Sequence, residues 1–438
     1  MKNHTILIKN GTVVNSKIQV KKDVLISNGI IKKVEKDIQL QADRIIDASQ
    51  KFIIPGVIDP QVHFREPGLT HKEDIKSGAR AAVSGGVTTF FEMPNTNPAT
   101  INSKLLEEKF KIAEKSSVAN FSFFLGATPN NIDEIKNLKG NCGVKIFMGS
   151  STGDLLVDRD SDIEQIFKYC NKVIAIHSED EQVLNETAKT IKNPNFRDHP
   201  NMRPVKAAVT STNKAINFAL KYEKKLHVLH LSTSEEVKII RKIKNTGLVT
   251  SETTPQHLLL SAPDIYNDIG SYAQMNPPIR EKYHQEELWK GLFDGTINCI
   301  ATDHAPHTIQ EKNNPYGIAP SGMPGVETSL PLMLNQVNKG KIKLQDITKW
   351  MCENPAKIYQ IKNKGFIEEG FDADIALIDL NRIKKIRAKN MQSKCGWSAF
   401  EGFEIKGWPI ITIVNGNIVY ENESINENYF GKRVTFGE

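Results

Sequence analysis

The chain has 438 residues, 39% hydrophobic and 25% charged, with a formal net charge of +6. That composition belongs to a globular protein able to bury a core without disulfide staples, and it excludes a small module. No block of like charge marks a nucleic-acid arm and no apolar run approaches membrane-spanning length, so neither nucleic acid nor a membrane is an expected partner. The opening MKNHTILIKNG lacks the apolar stretch of an export signal. Five scattered cysteines (Cys142, Cys170, Cys299, Cys352, Cys395) form no C-x-x-C pair, and the expected setting is a reducing cytoplasm.

Near the N-terminus, ILIKNGTVV and DVLISNGIIKKV alternate apolar and polar residues around Asn-Gly pairs, a pattern that predicts β-hairpins. Eight short apolar runs follow: FIIPGVIDPQVHF, GVTTFFEMPN, NFSFFLGAT, GVKIFMGS, KVIAIHSED, LHVLHLST, GLVTSETTP and NCIATDHAPH. Segments with helical periodicity, such as KEDIKSGARAAVSG and SKLLEEKFKIAEKS, lie between them. Strands alternating with helices imply a parallel sheet, and eight such units that close on themselves make an α/β fold of the (β/α)8 TIM-barrel type. A doubly wound open sheet is the rival, but no glycine-rich phosphate loop follows the first strand. DADIALIDL and IITIVNGNIVYE then return to the hairpin pattern. The expected organisation is a small β-sandwich domain built from both chain ends, residues 1–55 plus 365–438, around a catalytic barrel over 56–364.

The predicted strands end in residues that a core does not select: His63, Arg65, Asn95, Lys145, His177, His230, Asp303 and His307. One histidine at a strand end is more often a packed rim residue than a ligand, and a lone lysine often caps a carbonyl. Ionisable groups recurring at successive strand ends are another matter, because burying each is costly and the barrel gathers them at one mouth. The chemistry they suit is metal-assisted hydrolysis, in which imidazoles and carboxylates hold a zinc-like ion that acidifies water. A lysine in such a site makes sense if its amine has become a carbamate.

Four segments resemble the dihydroorotase branch of the amidohydrolase superfamily: DPQVHFREPG, FEMPNTNP, MNPPIRE and ATDHAPHTIQEK, the last matched through Ala301, Thr302, Asp303, Ala305, Pro306, His307 and Lys312. GMPGVET and GFIEEGFDADIALIDL extend the resemblance over nearly the whole chain. It implies one or two zinc ions held by His63, Lys145 as carbamate, His177, His230 and Asp303. It also implies that Asp303 shuttles the proton and that Arg65, Asn95, Asn276 and His307 bind the substrate. The reaction implied is the reversible cyclisation of N-carbamoyl-L-aspartate to dihydroorotate. The implied partners are a small-molecule substrate and a second copy of the chain, with aspartate transcarbamoylase a partner if the chain is an inactive supporting subunit.

One position departs from the pattern. The family motif reads His-x-His, whereas here Gln61 precedes His63, and a carboxamide oxygen is a poor zinc ligand beside imidazole. Either half of a two-metal site would still keep three protein ligands. Asp154 is a second possible bridging carboxylate. His71, His199, His227, His257 and His304 are expected to serve packing, and residues 307–324 are expected to form a loop over the mouth. The rival readings are another cyclic-amide hydrolase of the hydantoinase, dihydropyrimidinase or allantoinase kind, and an inactive subunit that supports aspartate transcarbamoylase.

Overall fold

The computed structural model describes residues 4–151 and 155–437. Eight parallel strands form one sheet in chain order. They are β1 (Val57–Val62), β2 (Val87–Glu92), β3 (Asn120–Gly126), β4 (Gly143–Phe147), β5 (Ile174–His177), β6 (Leu226–Val228), β7 (Val249–Thr253) and β8 (Cys299–Ile300). Most are buried along their whole length, as parallel strands covered on both faces must be. β8 is short, and the seam between it and β1 is completed beyond its end. Val62 bridges His304 in parallel register, and His63 N–H donates to the His304 carbonyl at 2.7 Å. Asp59 ties the same seam by accepting from Thr302 N at 3.1 Å and Thr302 Oγ1 at 2.5 Å. Burial pushes the Asp59 carboxyl up to about 7 against those hydrogen bonds.

Helices between the strands start where the sequence offers caps. Asp74 accepts from Ser77 N at 2.7 Å to begin Ile75–Ser84, and Asn102 accepts from Leu105 N at 2.9 Å to begin Ser103–Ser116. The helices press Ala79, Ala82, Leu106 and Phe110 onto the outside of the barrel.

Two further sheets bring the ends of the chain together. A four-stranded sheet orders Ile30–Glu35, Asp23–Ser27, Thr5–Lys9 and Arg44–Asp47. A seven-stranded sheet joins N-terminal strands, including Thr12–Asn15 and Phe52–Pro55, to the C-terminal strands Ile375–Lys385, Glu404–Val414 and Asn417–Glu421. Ile6, Ile8, Val24, Ile53, Ile375 and Ile413 make the core shared by these sheets.

Two Asn-Gly pairs, Asn28-Gly29 and Asn415-Gly416, form two-residue hairpins with both residues at positive φ. Asn10-Gly11 does not, and here the hairpin expectation fails. Only Asn10 is left-handed, so the turn that needs both residues at positive φ cannot form. The chain instead passes from one sheet to the other. Gly11 is required for packing, since a Cβ there would meet the Ile53 side chain at 2.6 Å. Beyond the last strand, Arg433 bridges Phe121 of β3 and its guanidinium grips Glu107 at 2.7 and 2.8 Å.

Candidate active site

The carboxyl ends of the strands converge on one cavity, walled by Gln61, His63, Arg65, Asn95, Lys145, His177, His230, Asn276 and Asp303, with Phe147, Ser151 and Ser321–Gly322. The cavity leaves about 20 Å³ of free space, room for roughly one water. A larger cavity of about 380 Å³ opens beside Cys142, Lys172, Lys224 and Lys225, where β4, β5 and β6 begin. It contains none of the converging imidazoles, so chemistry rather than size singles out the smaller one.

Three wall residues carry backbone strain. Arg65 (φ 66°), His230 (φ 35°) and Asp303 (φ 47°) are left-handed although none is glycine. Each lies just past its strand, where the chain turns to aim the side chain inward.

His63 sits between two partners: Nδ1 is 2.7 Å from Asn95 Oδ1, and Nε2 is 3.1 Å from Asp303 Oδ1. Gln61 Nε2 donates to the same Asp303 oxygen at 3.0 Å, while Gln61 Oε1 is buried without a partner among the described residues. Across the cavity, His177 Nδ1 faces His230 Nε2 at 3.2 Å. Burial lowers all three imidazoles, His63 to about 4, so they are neutral near pH 7, the form that ligates metals. Lys145 points up from β4 with its amine 4.5 Å from the centre of the Phe147 ring. Burial pushes that amine down to about 7, although Asp303 and Glu252 pull it upward.

Arg65 is 1% exposed. Its Nε donates to the Pro306 carbonyl at 3.3 Å, and Nη1 is buried with no partner among the described residues. Nη2 lies 3.2 Å from His307 Nε2, but that nitrogen is also 3.0 Å from the Ser321 carbonyl while Nδ1 faces Lys72 Nζ at 3.1 Å. The neutral ring therefore carries its proton on Nε2, and Arg65 gains no acceptor from it. His307 lies against Arg65, outside the residues that line the cavity.

Several supporting residues were not singled out in the sequence. Glu179 accepts from His177 Nε2 at 2.9 Å and is gripped by Arg203 Nη2 at 2.6 Å. Burial pushes its carboxyl up, but Arg203 and His177 outweigh this and hold it well below the usual carboxylate range. His199, expected only to pack, donates from Nε2 to Asn276 Oδ1 at 3.1 Å and to the Met275 carbonyl at 2.9 Å. Asn276 is thereby turned with its amide nitrogen free to face the cavity. His257 and His304 hold loops, through the Pro277 carbonyl and through Gly325 N–H, and His227 pairs with Glu252 in the barrel interior. Asp154 lies outside the described residues. The expected loop over the mouth is pinned at its base by Lys312, whose amine donates to the carbonyls of Gln274, Pro320 and Gly322. Gly322, at φ 137°, has no room for a side chain, since a Cβ would lie 2.5 Å from the Ala305 carbonyl oxygen.

A family model described as the amidohydrolase family matches residues 52–419. The chain belongs to the amidohydrolase family. Among the relatives of this amidohydrolase, a dihydroorotase of Methanosarcina acetivorans is 38% identical over 421 residues, 92% of this chain and 89% of that protein. A dihydroorotase of Pyrococcus abyssi is 34% identical over 97% of this chain and 96% of its own. Among solved structures, the L-hydantoinase (dihydropyrimidinase) of Arthrobacter aurescens superposes with a TM-score of 0.94 at 31% identity, covering 98% of this chain and 99% of that one. These likenesses agree with the barrel and the added sheets, and no helix of the described residues is long and apolar enough to cross a membrane.

Proposed function

We propose that this amidohydrolase is a dihydroorotase, catalysing the reversible cyclisation of N-carbamoyl-L-aspartate to dihydroorotate in de novo pyrimidine biosynthesis. The observation that carries this reading is Arg65, a buried guanidinium with an unpartnered Nη1 in the cavity wall beside Asn95 and Asn276. An unpaired buried charge is costly unless a ligand pairs with it. Dihydroorotate carries a ring carboxylate to meet it; hydantoin and dihydrouracil do not.

The donor set fits zinc: neutral imidazoles at His63, His177 and His230, a carboxylate at Asp303, and an amine at Lys145. Burial leaves much of the Lys145 amine uncharged near pH 7, the form that adds carbon dioxide to give an anionic carbamate. When bound, zinc would acidify water and polarise the ring carbonyl. In hydrolysis the water oxygen bonds to the carbonyl carbon, the ring C–N bond breaks, and the nitrogen takes a proton. In this reading Asp303 takes the proton from water and returns it to that nitrogen. Arg65, Asn95, Asn276 and His307 orient the ring by its carboxylate. Glu179 fixes the proton of His177 on Nε2 and leaves Nδ1 as the ligand atom. Glu179→Gln is accordingly expected to weaken zinc binding by about 10- to 100-fold, measured by competition with a chromophoric chelator. Unchanged affinity would remove Glu179 from this role.

The likeness to hydantoinases supports a second reading, hydrolysis of a carboxylate-free ring, and Gln61 supports a third, an inactive partner of aspartate transcarbamoylase. The test is a zinc-supplemented preparation assayed for metal content, for association state with and without that partner, and for turnover of dihydroorotate, hydantoin and dihydrouracil. Dihydroorotate is expected to exceed the others in kcat/KM by at least about 100-fold, the worth of one charged hydrogen-bonded contact. Preference for dihydrouracil or hydantoin would select the second reading; folded protein with neither metal nor turnover would select the third. The five free, buried cysteines support a cytoplasmic location.

A further inference from the structure

The two sides of the cavity are not equivalent as cation sites. On the His177 side the chemistry forces a bare nitrogen. Glu179 is an acceptor clamped by Arg203, so neutral His177 keeps its proton on Nε2 and turns an unprotonated Nδ1 toward His230 Nε2, 3.2 Å away. Lys145 rises beside them and, among the described residues, makes no hydrogen bond or ion pair.

On the Asp303 side an N–H donor already occupies the carboxylate. Asp303 Oδ1 receives Gln61 Nε2 at 3.0 Å and meets His63 Nε2 at 3.1 Å. The carboxamide of Gln61 must present its N–H end there, because its oxygen would otherwise face a carboxylate oxygen. Asn95 Oδ1 lies 2.7 Å from His63 Nδ1, so it is the Gln61 amide that sets this side apart. Gln61 Oε1, the one atom of that side chain able to ligate, points away from the shared Asp303 oxygen. Bringing it to bear would require turning the amide over and giving up the Asp303 bond.

We propose that Gln61 makes this a one-cation centre: a single divalent ion sits with Lys145, His177 and His230, and the Gln61 amide stands in for a second ion by holding Asp303. The inference rests on the metal-dependent reading given above and specifies it. Gln61 is then a positioning residue. Its N–H fixes the orientation of Asp303, leaving that carboxylate to exchange protons instead of ligating.

The test is zinc-loaded full-length protein, freed of excess metal by gel filtration and measured for zinc per chain, beside the Gln61→His variant treated identically. The expected result is about one ion per wild-type chain and about two in Gln61→His. Loading with manganese should give an isolated-ion electron paramagnetic spectrum in the wild type and a spin-coupled one in the variant. Two ions in the wild type, or one in both proteins, would overturn the assignment to Gln61 while leaving the dihydroorotase reading in place. No ion in folded wild-type protein would overturn both. Should Gln61→His fail to fold, His63→Asn and His230→Asn serve instead: the first should keep one ion and the second none. Loss of the ion in His63→Asn would overturn the proposal.

Discussion

Asp303→Asn is expected to lower dihydroorotate turnover by about 10³- to 10⁴-fold with little change in melting temperature. The side chain lies just beyond β8, held left-handed at φ 47°, and its Oδ1 already accepts from Gln61 Nε2 at 3.0 Å. Asparagine keeps the shape and one acceptor oxygen, so that hydrogen bond and the turn survive. What it cannot do is take a proton from water and hand it to the ring nitrogen. Measuring kcat and zinc content on the same sample separates the roles. A large fall in kcat at unchanged zinc content assigns proton transfer to Asp303, whereas zinc loss in step with activity would assign it to metal binding. Retention of more than a tenth of the wild-type rate would remove it from the chemistry altogether.

Replacing Arg65 with methionine should cost dihydroorotate about 2–5 kcal/mol in kcat/KM, a loss of roughly 30- to several thousand-fold. The guanidinium is buried, its Nη1 has no partner among the described residues, and its Nε donates to the Pro306 carbonyl. Burial lowers it only to about 10, so it remains a cation at neutral pH. Methionine fills a similar volume but leaves the substrate carboxylate without a partner in a dry pocket. Arg65→Lys should fare little better, because an ammonium lacks the planar fork that pairs with two carboxylate oxygens. The discriminating control is dihydrouracil, whose slow hydrolysis should be unaffected or improved. An equal loss on both rings would mean that Arg65 merely supports the fold.

The barrel could be read from the sequence because each strand is a short apolar run that stops at a polar residue with a task. VIDPQV ends before His63, GVKIF carries Lys145, and IAIH ends in His177. The supports could not be read this way, since they depend on neighbours remote in the chain. Glu179 is an ordinary acid after a strand until Arg203 folds against it, and His199 has no visible purpose until Asn276 comes within 3.1 Å. His307 sits in a motif that marks its importance but not its neighbours, Lys72 and the Ser321 carbonyl. The Asn10-Gly11 pair shows the limit of local turn signals. The same dipeptide makes a hairpin at Asn28-Gly29 and a sheet-to-sheet crossing at residue 10, and the Ile53 side chain packed against Gly11 marks the difference.

The seam between β1 and β8 has a consequence for how the molecule comes into being. Gln61 and His63 stand on one side of it and Asp303 on the other, joined through the Val62–His304 bridge and the Asp59–Thr302 hydrogen bonds. The ribosome delivers these halves of the catalytic apparatus some 240 residues apart in the chain, as the Gln61–Asp303 and His63–Asp303 contacts record. An emerging chain that has completed seven strands therefore possesses the imidazoles and the lysine but not Asp303, the proposed proton shuttle, and is expected not to turn over substrate while still tethered at that stage. Conversely, anything that draws Asp303 against Gln61 and His63 also fastens the first strand to the last. Occupancy of the cavity should therefore act as a clasp on the whole barrel, slowing its opening and protecting β1 and β8 from hydrogen exchange together.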